Sequence, residues 1–447
     1  MANRRTRTRT RGIRYTHVTH VEVHLWDSLI GVVALDPAYG FYAFRYTPAF
    51  QVRGIEPAPL FMPTTVDRTY LFTDLPLETY KRLPAMLADA LPDDFGNALI
   101  DRWMLDHGIQ REEITSLDRL AYMSTRAMGA MQFKPSRGPG TRTAIALRLS
   151  ELVSTARKAV HGNFDGDGHA RAALRDIIEV GTSAGGARAK AVIAWNRETG
   201  EIRSGQLEAP AGFEHWLLKL DGMGRDFELG ASQDYGRIEY AYYRMAIAAG
   251  IRMNESRLLH ENGRAHFMTR RFDRGDPNVR HHIQSLCAMS HLDYKRKGAN
   301  SYAQFFDTIN RLGLSYEDRE EAFRRMVFNV MARNCDDHTK NFAFRLRQGH
   351  PWELAPAYDV TFAHNPRGEW TSQHLLSVNG KFKDFTETDL LAEADRFAIG
   401  TAPRVMGEVR RAILRWPSLA AEAGVSKRET ERIRELLLPL PAESVAA

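Results

Sequence analysis

Short runs of β-branched and aromatic residues near the start of the chain predict β-strands. The two clearest runs cover residues 20–25 and 40–46, and turn residues separate and close them. Runs bounded in this way are typical of strands. Over residues 75–106 the apolar positions change to helical spacing, and further helix is expected after Arg111. Residues 16–135 therefore predict one α+β unit.

A cluster of chain-breaking residues at 135–140 marks a boundary to a second unit. The second unit, residues 136–274, contains a predicted helix at 144–160, a glycine-rich turn and several apolar strand-like runs. The remainder, residues 275–447, has mainly helical spacing. The pattern predicts three units in sequence.

Six arginines among the first fourteen residues form a basic tail without an apolar pattern. We expect residues 1–15 to be disordered. Such a tail suits nucleic acid or an acidic partner, but a solvated tail without a specific role is an equally good interpretation.

Composition indicates a large folded chain from a reducing compartment. The 447 residues are 43% hydrophobic, with a net charge of +6. No apolar run is long enough to cross a bilayer, and the first residues lack the apolar stretch of a secretory signal. Two cysteines, Cys287 and Cys335, form neither a disulfide framework nor a metal-ligand cluster, so free thiols and a cytoplasmic location are expected.

The run from Asn334 to Asn341 carries the strongest chemical signal. Four residues separate Asp336 from Asn341. In a kinase catalytic loop with this interval, the Asp accepts the proton of the substrate hydroxyl and the Asn holds magnesium. Asp359, eighteen positions after Asn341, ends an apolar run and offers a second carboxylate to the metal. These residues predict a phosphoryl-transfer site with Asp336 as its base.

The same run has two other interpretations. Its Asp-Asp-His cluster resembles a transition-metal site, although a second pair of ligands is missing. Cys335 suggests nucleophilic chemistry, but the sequence offers no Cys-His-Asn pattern around it, and a space-filling thiol is the better interpretation. His338 fits a structural or substrate-orienting role beside the base.

A glycine-rich turn at residues 181–186 precedes an apolar strand, so its peptide N–H groups could approach phosphate oxygens. It lacks the Lys-Ser or Lys-Thr of a Walker A loop, and a structural hairpin turn is the alternative. Lys219 ends a second apolar run, where charge is costly unless paired with phosphate or carboxylate. Glu239 in a predicted helix is its candidate partner, as in protein kinases. A solvent-facing Lys219 and a solvent-facing Glu239 are the alternatives.

Taken together, these stretches resemble the HipA family of toxin Ser/Thr kinases from bacterial type II toxin–antitoxin systems. The resemblance extends over residues 17–390. The motifs that carry it are the segments 91–96 and 128–133, the glycine loop, Leu218-Lys219, Arg271-Phe272-Asp273-Arg274, the run from Asp336 to Asn341, and Tyr358-Asp359.

The resemblance implies an α+β, protein-kinase-like bilobed fold with an extra N-terminal α+β subdomain. Residues 136–274 would form the mixed β/α N-lobe and residues 275–447 the helical C-lobe. ATP and Mg²⁺ are the implied cofactors. The implied partners are a helix-turn-helix antitoxin, operator DNA bound through it, and a protein substrate of the translation apparatus such as an aminoacyl-tRNA synthetase.

The resemblance also assigns residue roles. It places the catalytic base at Asp336, beside His338, and the metal ligands at Asn341 and Asp359. Phosphorylation of the chain by itself is implied at Ser183, which would repel nucleotide. The residues implied in ATP binding are Ser183, Ala184, Gly185, Gly186, Lys219, Arg270, Phe272 and Asn341. Asp337 stands where some members have glycine, and Arg270 where some have glutamate.

Three function classes follow from these residues. The first is a toxin Ser/Thr kinase that silences itself through Ser183. The second is a small-molecule phosphotransferase with the same lobes. The third is a non-catalytic partner of a DNA-binding antitoxin, which the intact set of Asp336, Asn341, Asp359 and Lys219 disfavours.

Overall fold

The computed structural model describes residues 15–92, 94–139, 149–150, 190–206, 208–221, 234–275 and 278–440. The predicted basic tail up to residue 14, the glycine-rich loop with Ser183, and most of the predicted helix at 144–160 lie outside these residues. Tyr15, predicted as the end of the tail, is described and donates a hydrogen bond to Asp118 (3.1 Å).

The N-terminal part is built on an antiparallel sheet with the order β4-β3-β2-β1-β5. Its strands are β1 His20–Leu25, β2 Ser28–Asp36, β3 Phe41–Tyr46, β4 Thr69–Tyr70 and β5 Met131–Lys134. Its helices are α1 Pro48–Gln51, α2 Leu77–Tyr80, α3 Ala85–Ala88, α4 Asp94–Asp106 and α5 Ser116–Met123, with a 3-10 turn at Arg111–Glu113. Pro76 and Pro84 directly precede α2 and α3, because proline fits the start of a helix and not its interior. Both predicted strands and the interrupted helical region are confirmed.

A second antiparallel sheet follows, with the order β7-β6-β8-β10-β9. Its strands are β6 Lys190–Asn196, β7 Ile202–Ser204, β8 Phe213–Lys219, β9 Ser256–Glu261 and β10 Arg264–Arg270. Helix α6, Tyr235–Ala248, packs against β10. The approach is close at Gly236, where an added Cβ would lie 2.1 Å from the carbonyl oxygen of Ala265. Gly236 thereby allows α6 to lie next to the sheet.

The C-terminal part is mainly helical. Its helices are α7 Leu286–Ser290, α8 Tyr302–Arg311, α9 Tyr316–Met331, α10 Glu387–Arg396, α11 Ala402–Ile413, α12 Trp416–Glu422 and α13 Lys427–Arg434. The prediction underestimated its strands, which are too short to show an alternating pattern. These strands are β11 Arg274–Gly275, β12 Val279–Arg280, β13 His282–Ser285, β14 Asn300–Ser301, β15 Ala343–Leu346, β16 Trp352–Leu354 and β17 Leu376–Ser377.

Two hydrophobic clusters organise the described residues. The first joins the N-terminal sheet to the sheet that contains β6 and β8. The second surrounds α9 and also takes in α6, so α6 connects the second sheet to the helical part. Within the described ranges, no helix combines the length and the apolar character needed to cross a membrane. The architecture is a mixed α+β fold.

Candidate active site

The segment that follows α9 has side chains that alternate between buried and accessible. Along residues 335–340, Cys335, Asp337 and Thr339 are buried, whereas the three residues between and after them are partly accessible. Up to His338, whose φ and ψ are extended, successive side chains point to opposite sides. The alternation therefore presents Asp336 and His338 on the open side.

Asp336 has 44% of its side chain exposed, and His338 Nε2 is 3.8 Å from its Oδ1. Desolvation of the carboxylate by the surrounding protein raises the pKa of Asp336 to about 6, while the nearby His338 opposes the shift and Asp359 adds to it. A carboxylate with a raised pKa is a better proton acceptor at neutral pH than an ordinary one. Asp336 thus has the environment expected of a general base.

Lys219 connects two elements of the predicted site. Its Nζ lies 2.5 Å from Glu239 Oε1 and also contacts Asp359 Oδ1. Glu239 is only 2% exposed, so the predicted pairing is confirmed and the solvent-facing alternatives for both residues are wrong. Burial would lower the pKa of Lys219, but Asp359 and Glu239 outweigh burial and raise it. Lys219 is charged in this setting.

Asp359 lies in a loop after β16 and has a positive φ of 56°. This conformation is costly for an aspartate and is retained when the surroundings impose it. Burial would raise the pKa of Asp359, but Lys219 and Lys190 outweigh burial and hold the pKa well below its usual range. Asp359 is therefore a carboxylate at any working pH.

Lys190 was missed by the sequence analysis. It begins β6, is 5% exposed and stands opposite Lys219 in the register between β6 and β8. Its charge also acts on Asp336, whose pKa it lowers. A lysine at the start of an apolar strand, directly after a glycine-rich turn, was the available signal.

Asn341 ends a 3-10 turn at Thr339–Asn341. Its Nδ2 donates to the carbonyl oxygen of Asp336 (2.7 Å), and its Oδ1 has no partner among the described residues. Asn341 and Asp359 line the same cavity. The open amide oxygen and the Asp359 carboxylate are hard oxygen donors of the kind that Mg²⁺ prefers, and the two lysines suit phosphate. The residues present therefore fit the predicted Mg²⁺ and ATP.

The two residues predicted to contact the nucleotide base lie at and just after the end of β10. The peptide N–H of Arg270 donates to Glu255 O (2.8 Å), and its carbonyl accepts from the Asn254 side chain (3.1 Å). The peptide N–H and the carbonyl of Arg270 are thus both engaged within the protein. The Phe272 carbonyl accepts from Arg345 (2.9 Å), and its peptide N–H has no partner within the described part of the chain.

The aromatic ring of Phe272 stacks on Tyr358 at 5.5 Å between centroids. Tyr358 in turn donates to the carbonyl oxygen of Lys340 (2.6 Å). These contacts join the end of β10 to the segments that carry Asn341 and Asp359. Ser183, Ala184, Gly185 and Gly186 lie outside the described residues, and their assignment stays a prediction.

Asp273, one of the motif residues, is fully buried. It accepts hydrogen bonds from Arg271 Nε (2.9 Å) and Nη2 (2.7 Å), Arg274 Nη1 (2.7 Å) and the peptide N–H of Gly129 (2.7 Å). Burial would raise its pKa, but Arg271 and Arg274 dominate and hold the pKa far below its usual range. The pair of arginines and Asp273 fixes the N-terminal part to the segment after β10.

Cys287 and Cys335 are free and buried, as predicted. Cys335 has a neighbour that the sequence did not reveal, since His364 Nδ1 is 3.7 Å from its Sγ. His364 follows 29 residues later, so local sequence could not show this contact. In the part of the chain described, no three His, Cys, Asp or Glu side chains group as metal ligands. The described residues therefore offer no set of ligands that would support a transition-metal site at the Asp-Asp-His run.

Two protein-family models match the chain, one after the other. The model of the HipA N-terminal domain matches residues 21–134, and that of the HipA-like C-terminal domain matches residues 182–435. Among solved structures, HipA of the Shewanella oneidensis MR-1 toxin–antitoxin system, determined with HipB and operator DNA, has a TM-score of 0.68 at 17% identity, covering 94% of this chain and 96% of that chain. The Helicobacter pylori proinflammatory kinase CtkA has a TM-score of 0.32 at 13% identity, over 51% of this chain and 88% of that chain. No curated protein matches the sequence. Since the C-terminal model alone spans more than half of its length, the chain belongs to the HipA family.

Proposed function

We propose that this protein is an ATP- and Mg²⁺-dependent Ser/Thr protein kinase and the toxin of a toxin–antitoxin module. The contact of one buried lysine, Lys219, with both Glu239 and Asp359 carries the proposal. A lysine from a strand, a glutamate from a helix and an aspartate beside the cleft are the parts that kinases must bring together for phosphoryl transfer. Membership in the HipA family supports it.

The proposed layout has two lobes, with the sheet of β6 to β10 above the cleft and the helices around α9 below it. Lys219 and Lys190 would bind the phosphates from the sheet side. Asn341 and Asp359 would hold Mg²⁺, which neutralises phosphate charge when bound.

Asp336 would act on the acceptor substrate. One of its carboxylate oxygens would take the proton of the acceptor hydroxyl as that oxygen bonds to the γ-phosphorus of ATP, while the bond from the γ-phosphorus to the bridging oxygen breaks and ADP leaves. His338 would orient that carboxylate through its ring nitrogen, 3.8 Å away. The accessible positions along residues 335–340 thus carry the chemistry.

Intact-mass measurement tests the proposal. The purified chain and Asp336→Asn are incubated with Mg-ATP, and any phosphate is located by peptide mapping. We expect wild type to gain phosphate, with Ser183 as the modified residue, and the isosteric variant to gain none. Equal phosphate in both proteins would remove the assignment of Asp336. No phosphate in either, together with no ATP binding by calorimetry, would refute the kinase proposal.

The substrate proposed is a protein of the translation apparatus, with an aminoacyl-tRNA synthetase as first candidate because of the family resemblance. Incubation of the active kinase with a set of purified synthetases and with small hydroxyl metabolites separates a protein kinase from a small-molecule phosphotransferase. Faster phosphorylation of a metabolite than of any protein would favour the second.

The proposed partner is a helix-turn-helix antitoxin that also binds operator DNA. The similar Shewanella structure contains HipB and operator DNA, which supports a partner of this kind. If the arginine-rich tail steadies such a complex on DNA, deletion of residues 2–14 should weaken DNA retention and reduce its dependence on salt. Unchanged retention would leave the tail without a role in DNA binding.

A further inference from the structure

The buried side chains of the loop at residues 335–340, which are Cys335, Asp337 and Thr339, make contacts of their own. Asp337 has a fully buried side chain and three neighbours that donate to it or pair with it. Tyr302 Oη donates to its Oδ2 (2.8 Å), His374 Nδ1 lies 2.8 Å from the same oxygen, and the peptide N–H of Leu375 donates to Oδ1 (2.7 Å). Asp337 therefore connects the loop to a segment 37 residues away.

These contacts extend into the helices below. Tyr302 at the start of α8 accepts from Asn329 Nδ2 of α9 (2.9 Å), and Asn329 Oδ1 accepts from Asn334 Nδ2 (2.9 Å). Thr339, the next inward residue after Asp337, donates to the carbonyl oxygen of Leu292 (2.7 Å). Both ends of the loop are thus tied to helices or their connections.

His374 is buried on the other side of this network. Besides Asp337, the titratable group that acts most strongly on it is Cys335. Burial would lower the pKa of His374, but Cys335 and Asp337 outweigh burial and raise it to about 10. The same interaction reverses the effect of burial on Cys335 and lowers its pKa to about 7. The imidazolium of His374 thus interacts with both the Asp337 carboxylate and the Cys335 thiol.

We propose that Asp337 and His374 form a positioning clamp that sets the place of Asp336 in the cleft. Asp336 and Asp337 are adjacent, and their side chains lie on opposite sides, one 44% and the other 0% exposed, so holding Asp337 inward holds Asp336 outward. Asp337 lines the same cavity as Asn341 and Asp359, but its hydrogen bonds go to Tyr302, His374 and Leu375. We therefore expect the clamp to act on proton transfer to Asp336 more than on nucleotide binding. The idea rests on the proposed kinase function.

Steady-state kinetics test the clamp through the separation of kcat from KM. For Asp337→Asn and His374→Leu we expect kcat to fall at least about tenfold while KM for ATP stays within about twofold, as for loss of an interaction made only in the transition state. His374→Asn should retain more activity than His374→Leu, because its amide can still donate to Asp337. A folded Asp337→Asn protein with wild-type kcat would overturn the proposal.

Asp389→Asn is the matched control. Asp389 is also a buried aspartate. It accepts from the peptide N–H of Thr386, just before α10, and from Lys381 Nζ, and it makes no hydrogen bond to Asp337 or His374. We expect Asp389→Asn to lower thermal stability with kcat unchanged. If Asp389→Asn lowered kcat as much as Asp337→Asn, general destabilisation would explain both, and the clamp would be rejected.

A thiol titration tests the clamp without kinase activity. The groups that face Cys335 are His364, His374, Asp337, Tyr242 and Tyr302. Ultraviolet absorbance of the thiolate should show Cys335 ionising near neutral pH and Cys287, whose pKa burial raises to about 11, far above it. In His374→Leu the pKa of Cys335 should rise towards that of Cys287. An unchanged pKa of Cys335 would refute the clamp. If the thiol behaves as expected but phosphate transfer is absent, the clamp stands and the kinase function fails.

Discussion

The buried aspartate Asp273 allows a test of whether burial sets how much an ion pair contributes to the free energy of unfolding. Asp273→Ala removes the carboxylate that accepts four hydrogen bonds from Arg271, Arg274 and Gly129. The side chains of the two arginines are 2% and 9% exposed, so neither can turn to water without moving its surroundings. The variant leaves two buried cations without a counter-ion.

The expected magnitude follows from this burial. Removing one partner of a buried ion pair costs about 3–5 kcal/mol, because the remaining charge stays desolvated. At about 2 °C per kcal/mol for a large cooperative unit, the melting temperature should fall by at least about 6 °C. The pKa of Asp273 lies below its unfolded value, so its contribution is fully present above about pH 4 and is lost only as the pH falls further. The difference in melting temperature should therefore be the same at about pH 8 and pH 5.

Thermal unfolding followed by circular dichroism measures this difference. Asp67→Ala is the control, since Asp67 pairs with Arg45 at 2.8 Å while their side chains are 68% and 55% exposed. An exposed pair contributes about 0–1 kcal/mol, so the control should melt close to wild type. Equal decreases in melting temperature for Asp273→Ala and Asp67→Ala would refute the argument that the contribution of an ion pair to stability depends on its burial and not on the distance between the charges.

Three further predictions concern the site. Lys219→Met leaves two acidic side chains without their shared cation, so phosphate incorporation measured with labelled ATP should fall about 100-fold. An unchanged rate would show that Lys219 has no role in phosphoryl transfer. If Asp336 is the base, as proposed, it works only when deprotonated, and burial raises its pKa to about 6, so kcat/KM should fall as the pH drops through about 6; a flat profile down to about pH 5 would contradict this. Gly236→Ala should destabilise the protein by about 1–3 kcal/mol, since its Cβ would meet the carbonyl oxygen of Ala265. The control Gly400→Ala has open space around its Cβ and should melt like wild type. Equal melting temperatures for the two variants would show that α6 can shift freely.

The parts of the site that sequence could predict are those encoded locally. Asp336 and Asn341 lie within one short run, and Lys219 is conspicuous as a charge at the end of an apolar strand. The missed parts depend on distant pairing. Lys190 faces the site only because of the register between β6 and β8. His374 reaches Asp337 across 37 residues, a contact that no local pattern encodes.

The contacts of Lys219 also indicate which of its partners can change during function. Glu239 is 2% exposed, whereas the Asp359 side chain is 24% exposed and lines the cavity beside Asn341. Separating Lys219 from Glu239 would leave a carboxylate that water cannot reach, and this is expensive. We expect Asp359 to exchange Lys219 for another cation, since Asn341 lines the same cavity and carries an amide oxygen. On the proposed function, the Lys219–Glu239 pair is then the fixed half of the site, and Asp359 is the half that responds to a bound cation.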